Sequence, residues 1–195
     1  MVPFIWNFKA GLYEAVRSLP LINRILEQET EKLKALLSRV PLRSLWILDV
    51  GTGTGSSLRV FPGGIRVVGL DRSLRMLRRA MRIDRFARVV GEACRLPLRD
   101  GAIPLVLAVG LTEYLPDKGT FLGEVKRVLR SGGYFLVTIS QPGVLNFLRN
   151  LLGSRIYPVR AKQWEVMIER KGFRCLGQEK TFLQIQYLFR ETKDG

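Results

Sequence analysis

The run Leu45-Trp46-Ile47-Leu48-Asp49-Val50, feeding Gly51-Thr52-Gly53-Thr54-Gly55, holds the residues best placed to do chemistry. It reads as a buried strand entering a glycine-rich turn, and open α/β sheets bind ligands at the carboxyl ends of their strands. Glycine lets backbone approach a ligand closely, and Asp49 sets a carboxylate beside the turn. The Gly-x-Gly-x-Gly spacing departs from the dinucleotide pattern Gly-x-Gly-x-x-Gly, since Ser56 follows Gly55. That turns the reading away from a cradled pyrophosphate and toward a cofactor with an ammonium group, for which a carboxylate has a use. The next apolar run ends Val67-Val68-Gly69-Leu70-Asp71, twenty positions after Gly51, where a carboxylate meets ribose hydroxyls. The plain structural readings are a tight turn and a cap for the helix after Asp71.

The chain has no histidine, so the commonest metal ligand and general base are both missing. Cys94 and Cys175 stand alone and far apart, giving neither a disulfide framework nor a ligand cluster, and no metal is expected. If acid–base chemistry needs a base, Glu113 and Tyr114 are the candidates, each weighed against a packing or capping role.

These groups need elements to hold them. At 195 residues, 47% hydrophobic and 25% charged, the composition is that of one packed domain. Leu21, Ile22, Ile25, Leu26, Leu33, Leu36 and Leu37 recur at helical spacing between Pro20 and Pro41, which predicts a helix over 21–39, preceded by another over 4–17. From residue 45 onward, short apolar runs alternate with helical stretches, the pattern of a doubly wound, mostly parallel α/β fold. Seven strands are expected over 45–50, 65–70, 87–90, 105–109, 134–139, 173–178 and 183–189. Helices are expected over 73–81, 118–129, 143–152 and 162–171, with Pro62 cutting short the helix after the glycine turn. The last two strands leave no room for a crossover and should form an antiparallel hairpin at the sheet edge. Residues 1–40 then form a helical lid and 41–195 a cofactor-binding core.

Thirty-two Lys and Arg against seventeen Asp and Glu give +15, a balance that attracts nucleic acid or anionic lipid; a charged thermophile surface is the bland alternative. Arg72, Arg75, Arg78, Arg79 and Arg82 share one face of a helix, yet no aromatics interleave with them as RNA binding usually asks. Phe4, Trp6, Phe8, Leu12 and Tyr13, with Lys9 and Arg17, suit either a lid over an apolar ligand or an anionic membrane surface. No apolar stretch approaches the roughly 20 residues of a membrane span and the first residues lack a secretion-signal pattern. The expectation is a cytoplasmic chain that can sit peripherally on the inner face of the membrane.

Four motifs in order, ILDVGTGTG (47–55), VVGLDRSLRMLRRA (67–80), GEACRLPLRDGAIPLVLAVGLTEYLPD (91–117) and EVKRVLRSGGYFLVT (124–138), resemble the class I S-adenosylmethionine-dependent methyltransferases. The likeness is nearest to the branch of ubiquinone, menaquinone and phospholipid methyltransferases. It implies S-adenosylmethionine as cofactor, with Asp49, Gly51, Thr52 and Gly53 at its methionine end, Asp71 on the ribose and Arg72 beside the adenine. It further implies that Glu92, Ala93 and Cys94 meet the adenine edge, that Val109 and Gly110 close the pocket near the methyl, and that Tyr13 is a further contact. Departures are Glu92 in place of Asp, Pro104 in place of an acid at the fourth strand, and Tyr114 in place of His. No Asn/Asp-Pro-Pro-Tyr motif follows the fourth strand, and a Leu then Phe-Pro follows the turn (Leu58, Phe61, Pro62). Together these imply a small, apolar or lipid-like acceptor, with an RNA methyltransferase as the runner-up and a non-catalytic S-adenosylmethionine-binding module as the reading from another class.

Overall fold

The apolar runs become strands because each is too short for a helix that could bury itself. The computed structural model describes residues 20–41, 46–61, 65–80, 86–143 and 155–192. The expected helix over 4–17, with Tyr13, Trp6 and Phe8, lies outside the described residues, as does nearly all of 143–152.

The described chain runs α1 (Pro20–Leu37), β1 (Trp46–Val50), a 3-10 turn (Ser56–Val60), β2 (Arg66–Asp71), α2 (Leu74–Arg79) and β3 (Phe86–Val90). It continues through β4 (Ile103–Ala108), a second 3-10 turn (Thr112–Tyr114), α3 (Lys118–Val128), β5 (Leu129–Ile139), α4 (Ala161–Glu169), β6 (Phe173–Lys180) and β7 (Ile185–Glu191). One seven-stranded sheet has the order β3-β2-β1-β4-β5-β7-β6. All pairings from β3 to β5 are parallel, whereas β7 is antiparallel to both β5 and β6. The chain therefore has the expected doubly wound fold, with the predicted terminal hairpin at the edge.

Side chains alternate across a strand, and the two cores follow that alternation. Ile47, Leu105, Leu107, Leu136 and Leu188 pack with Leu33, Leu36 and Leu37 of α1 on one face. Leu48, Val50, Val106, Phe135, Val137 and Tyr187 fill the other face with Phe121, Val125 and Trp164. Burial on both sides explains the unbroken apolar text of β4.

Some boundaries differ from the periodic reading. β4 begins at Ile103, so Pro104 is its second residue, at a break in register with β5 between Ile103 and Leu105. Proline lacks the N–H that a regular ladder needs, and a strand irregularity accommodates that loss. β5 starts at Leu129 rather than residue 134, because Leu129 already pairs with Ile103; the residues before Tyr134 form the irregular part of the strand, with Gly132 left-handed at φ 70°. The first 3-10 turn ends at Val60, just before Pro62, as the proline implied.

Candidate functional site

The carboxyl ends of β1, β2 and β4 open into a cavity of about 470 Å³, within the range of small-molecule and cofactor sites. Gly51, Thr52, Gly53 and Thr54 form its floor, Asp71, Arg72, Glu92 and Ala93 one end, and Val109, Gly110, Glu113 and Tyr114 the wall after β4. Leu26, Glu29, Thr30 and Leu33 of α1, with Ser140, Leu183 and Gln184, complete the other end.

The glycine turn is left-handed at Gly51, Gly53 and Gly55, with φ of 72°, 54° and 76°, angles that cost other residues about 1–2 kcal/mol each. Its N–H groups point inward. Gly51 N and Thr52 N donate to Leu70 O at 2.7 and 3.1 Å, and Gly55 N donates to Thr52 O at 2.8 Å. Gly53 N donates to Asp71 Oδ2 at 2.9 Å. A phosphate cradle would need those donors turned outward. What the turn carries around it instead is negative charge.

Asp49 lies beneath the turn rather than in the cavity wall. It is 1% exposed, and its Oδ2 accepts from Thr52 Oγ1 at 2.6 Å and Ser57 Oγ at 2.8 Å. Burial pushes its carboxyl up to about 6; the two hydroxyls hold it down, and the Asp71 charge adds to the rise. Asp49 therefore ties strand, turn and 3-10 turn together, and its charge reaches a ligand through them. Asp71 accepts from Ser73 N at 2.8 Å on Oδ1 and from Gly53 N on Oδ2. Burial raises its pKa as well, against those two backbone bonds. A carboxylate oxygen has room for a second donor, so each oxygen can still take a hydroxyl. The helix cap is Ser73, whose side chain accepts from Met76 N, so capping is not the work of Asp71.

The raised pKa of Asp49 sets a stability prediction. Because the folded state holds the proton more tightly than the unfolded chain, it carries more protons between about pH 4 and 6, and stability falls as pH rises through that window. Fully ionised Asp49 costs the fold about 3 kcal/mol at neutral pH. Asp49→Asn keeps an oxygen for the two hydroxyls and removes the titration. Its melting temperature should gain on the wild type as pH rises from about 4 to 6 and keep that lead at higher pH, and parallel curves for the two proteins would remove Asp49 as the source.

The remaining expected contacts divide. Glu92 is exposed at the rim and Ala93 is buried beside it, in a loop held by Leu96 N to Glu124 Oε2 at 2.7 Å and by Arg127 to Leu96 O and Leu98 O. Cys94 is not in the cavity wall. Its Sγ donates to Asp117 O at 3.7 Å, and burial raises its thiol pKa. Gly110 N donates to Thr138 Oγ1 at 2.8 Å, and Thr112 Oγ1 to Thr138 O at 2.7 Å, bracing the wall after β4. Tyr157 N donates to Glu113 O at 2.6 Å, and Lys118 Nζ donates to Leu115 O and Tyr157 O, both at 2.8 Å. Burial lowers the Lys118 pKa, with the Glu113 charge opposing. Glu113, 5% exposed, and Tyr114 thus stand on a firmly held cavity wall.

Sequence reading missed Ser140, Leu183, Gln184 and the α1 residues Glu29 and Thr30. Pocket residues on α1 were legible only as a polar break, Glu29-Thr30, between its apolar turns. No group of His, Cys, Asp and Glu suited to a metal occurs among the described residues, and no described helix is long and apolar enough to cross a membrane.

Residues 48–137 match the family model described as a methyltransferase domain. Malonyl-[acyl-carrier protein] O-methyltransferase 1 of Coxiella burnetii is 28% identical over 145 residues, 73% of this chain and 50% of that protein. The 2-methyl-6-phytyl-1,4-hydroquinone methyltransferase of Synechocystis is 33% identical over 99 residues, 47% of this chain and 30% of that one. The chain spans half or less of the length of these relatives. A chain in the complex of the Haloferax volcanii Trm112 methyltransferase activator superposes with a TM-score of 0.78 at 19% identity, covering 96% of this chain and 97% of that one, a likeness of fold.

Proposed function

Residues 48–137 belong to the methyltransferase-domain family, within the class I S-adenosylmethionine-dependent group, and from that premise we propose that the chain transfers a methyl group from S-adenosylmethionine to a small, apolar or lipid-like acceptor. The observation that carries the cofactor reading is the inward-turned glycine turn with Asp49 below it and Asp71 at its flank. Spent N–H groups offer no pyrophosphate cradle, whereas paired carboxylates near the floor favour a ligand with positive charge. The residues present therefore fit S-adenosylmethionine. Asp71 would hold the ribose, with Arg72, Glu92 and Ala93 around the adenine and Gly51, Thr52 and Gly53 along the methionine end. Cys94 is left beside this set rather than in it.

When bound, the cofactor supplies a methyl already activated by its sulfonium, so the protein's work is to align the acceptor and exclude water. Asp71, Gly51, Thr52 and Gly53 would hold the cofactor, the wall after β4 would receive the acceptor, and the proton that an O–H or N–H acceptor gives up there would pass to solvent or to a neighbouring base. Glu113 and Tyr114 flank that position. A dedicated base need not take part, because the sulfonium methyl is already a strong electrophile.

Leu26, Leu33, Leu111, Leu115 and Leu183 give the cavity an apolar lining, which supports the acceptor class. So does the hydroquinone acceptor in the name of one relative. The +15 charge supports uptake from an anionic membrane surface. RNA would share that attraction, but not the apolar lining.

Calorimetry should give a micromolar Kd for S-adenosylmethionine or its demethylated product, about −8 kcal/mol, and much weaker binding of NAD. Tighter binding of NAD would overturn the cofactor reading. With labelled cofactor, radioactivity should enter the lipid extract of anionic vesicles carrying hydroquinones. Label in RNA instead would install the runner-up, and tight cofactor binding with no transfer to either would favour a binding module.

A further inference from the structure

Alternate residues of β5 and β7 face α1, and on both strands they turn polar toward the cavity: Leu136 gives way to Thr138 and Ser140, and Leu188 to Gln186 and Gln184. Onto this patch α1 lowers Glu29, a cavity-wall residue only 5% exposed. Glu29 Oε2 accepts from Gln184 Nε2 at 2.7 Å and Gln186 Nε2 at 2.9 Å, and Glu29 O accepts from Gln186 Nε2 at 3.0 Å. Glu29 Oε1 is buried and has no hydrogen-bond partner among the described residues. A buried carboxylate oxygen left unmatched is costly, and a ligand donor that reaches the carboxylate relieves the cost.

Gln184 and Gln186 belong to β7 and its entry, while Asp71 ends β2, four strand spacings away, or roughly 19 Å. Glu29 therefore stands at the end of the cavity remote from the ribose contact and beyond β4, where an acceptor enters. Among the described lining residues, Glu29, Asp71, Glu92 and Glu113 are acidic, and only Arg72, at the ribose end, is basic. The cavity has the opposite sign to the +15 chain around it.

The geometry points to Glu29 as the residue that selects the acceptor: its carboxylate accepts a hydrogen bond from an O–H or N–H of the acceptor and turns away molecules presenting a free carboxylate. This rests on the reading above that the cavity holds S-adenosylmethionine and a methyl acceptor. Rejection works through the like charge of Glu29, with no cation among the described lining residues at that end to meet the intruder. Glu29 thus narrows an apolar acceptor class to molecules with a donor head.

The test uses the full chain with S-adenosylhomocysteine bound, and compares decylhydroquinone, decylamine and decanoate by calorimetry at one salt concentration. The three probes share an alkyl chain and differ in the head, separating hydroxyl, amine and carboxylate. Either donor probe should bind at least tenfold more tightly than decanoate. Glu29→Gln should erase that preference while the S-adenosylhomocysteine Kd stays within twofold and the melting temperature shows the variant folded. Tighter binding of decanoate by the wild type overturns the assignment without any variant, as does an unchanged preference in Glu29→Gln. Failure of the wild type to bind S-adenosylhomocysteine would instead overturn the cofactor reading on which the assignment stands, so the two failures are told apart in the first titration.

Discussion

Replacing Asp71 with alanine should weaken S-adenosylhomocysteine binding between tenfold and several hundredfold and lower the melting temperature of the unliganded protein by a few degrees. The binding loss follows from the carboxylate's place at the end of β2, on the cavity, with room on each oxygen for one ribose hydroxyl. Hydrogen bonds to a charged group are each worth about 1.5–3 kcal/mol, so losing even one reaches the lower bound. The stability loss has a separate cause, since the same oxygens hold Gly53 N and Ser73 N at 2.9 and 2.8 Å. Two stranded backbone donors cost more than the relief of removing a carboxyl whose pKa burial has raised. At about 2–4 °C per kcal/mol for a chain of this size, the net shift is small but measurable. Asp71→Asn keeps one acceptor oxygen and should fall between the two proteins in both readouts. Affinity for S-adenosylhomocysteine within twofold of wild type in Asp71→Ala would move the ribose elsewhere.

A larger loss of stability is expected at Gly51, where alanine should lower the melting temperature by roughly 5–15 °C and cofactor affinity about a hundredfold. Its φ of 72° is left-handed, and an added Cβ would lie 2.8 Å from Leu111 Cδ1 and 3.2 Å from Leu111 Cβ. The backbone penalty is about 1–2 kcal/mol, and crowding in a packed site adds about 1–3 kcal/mol. Leu111 is itself a wall residue, so relief of the clash pushes it into the space the cofactor needs. Gly101 separates the two contributions: it is also left-handed, at φ 63°, but a Cβ there meets nothing within 4 Å. Gly101→Ala should show only the backbone cost, with cofactor affinity unchanged. Equal affinity losses at the two positions, measured by calorimetry beside thermal denaturation, would mean that general softening and not the wall at Leu111 is responsible.

The glycine turn was readable in the sequence because its interactions are nearly local. Gly51 and Thr52 donate to the end of the next strand, and Gly53 to its terminal Asp71, so strand, turn and carboxylate form one short stretch of text. Asp49 was legible as part of that unit but not in its place. Its neighbours in sequence suggest a cavity carboxylate, whereas Thr52 and Ser57 draw it under the turn. Cys94 shows the same limit, since its position beside Glu92 and Ala93 does not say that its thiol turns toward Asp117 O.

The order of strands and helices, the glycine turn and the carboxylates beside it are determined by the sequence itself, because alternation, chain stiffness at proline and glycine, and hydrogen bonds within one strand–turn–strand unit all act over a short span of chain. The acceptor end is decided only by the tertiary structure. Glu29 meets Gln184 and Gln186 across 155 and 157 positions, a contact that exists because β7 inserts antiparallel between β5 and β6 and α1 lies over that face. In the text those residues are an ordinary polar pair on a helix and two glutamines near a strand. Burial on a shared face leaves a carboxylate oxygen without a donor among the described residues, and that unmet hydrogen bond is a property of the packed molecule that no local pattern contains.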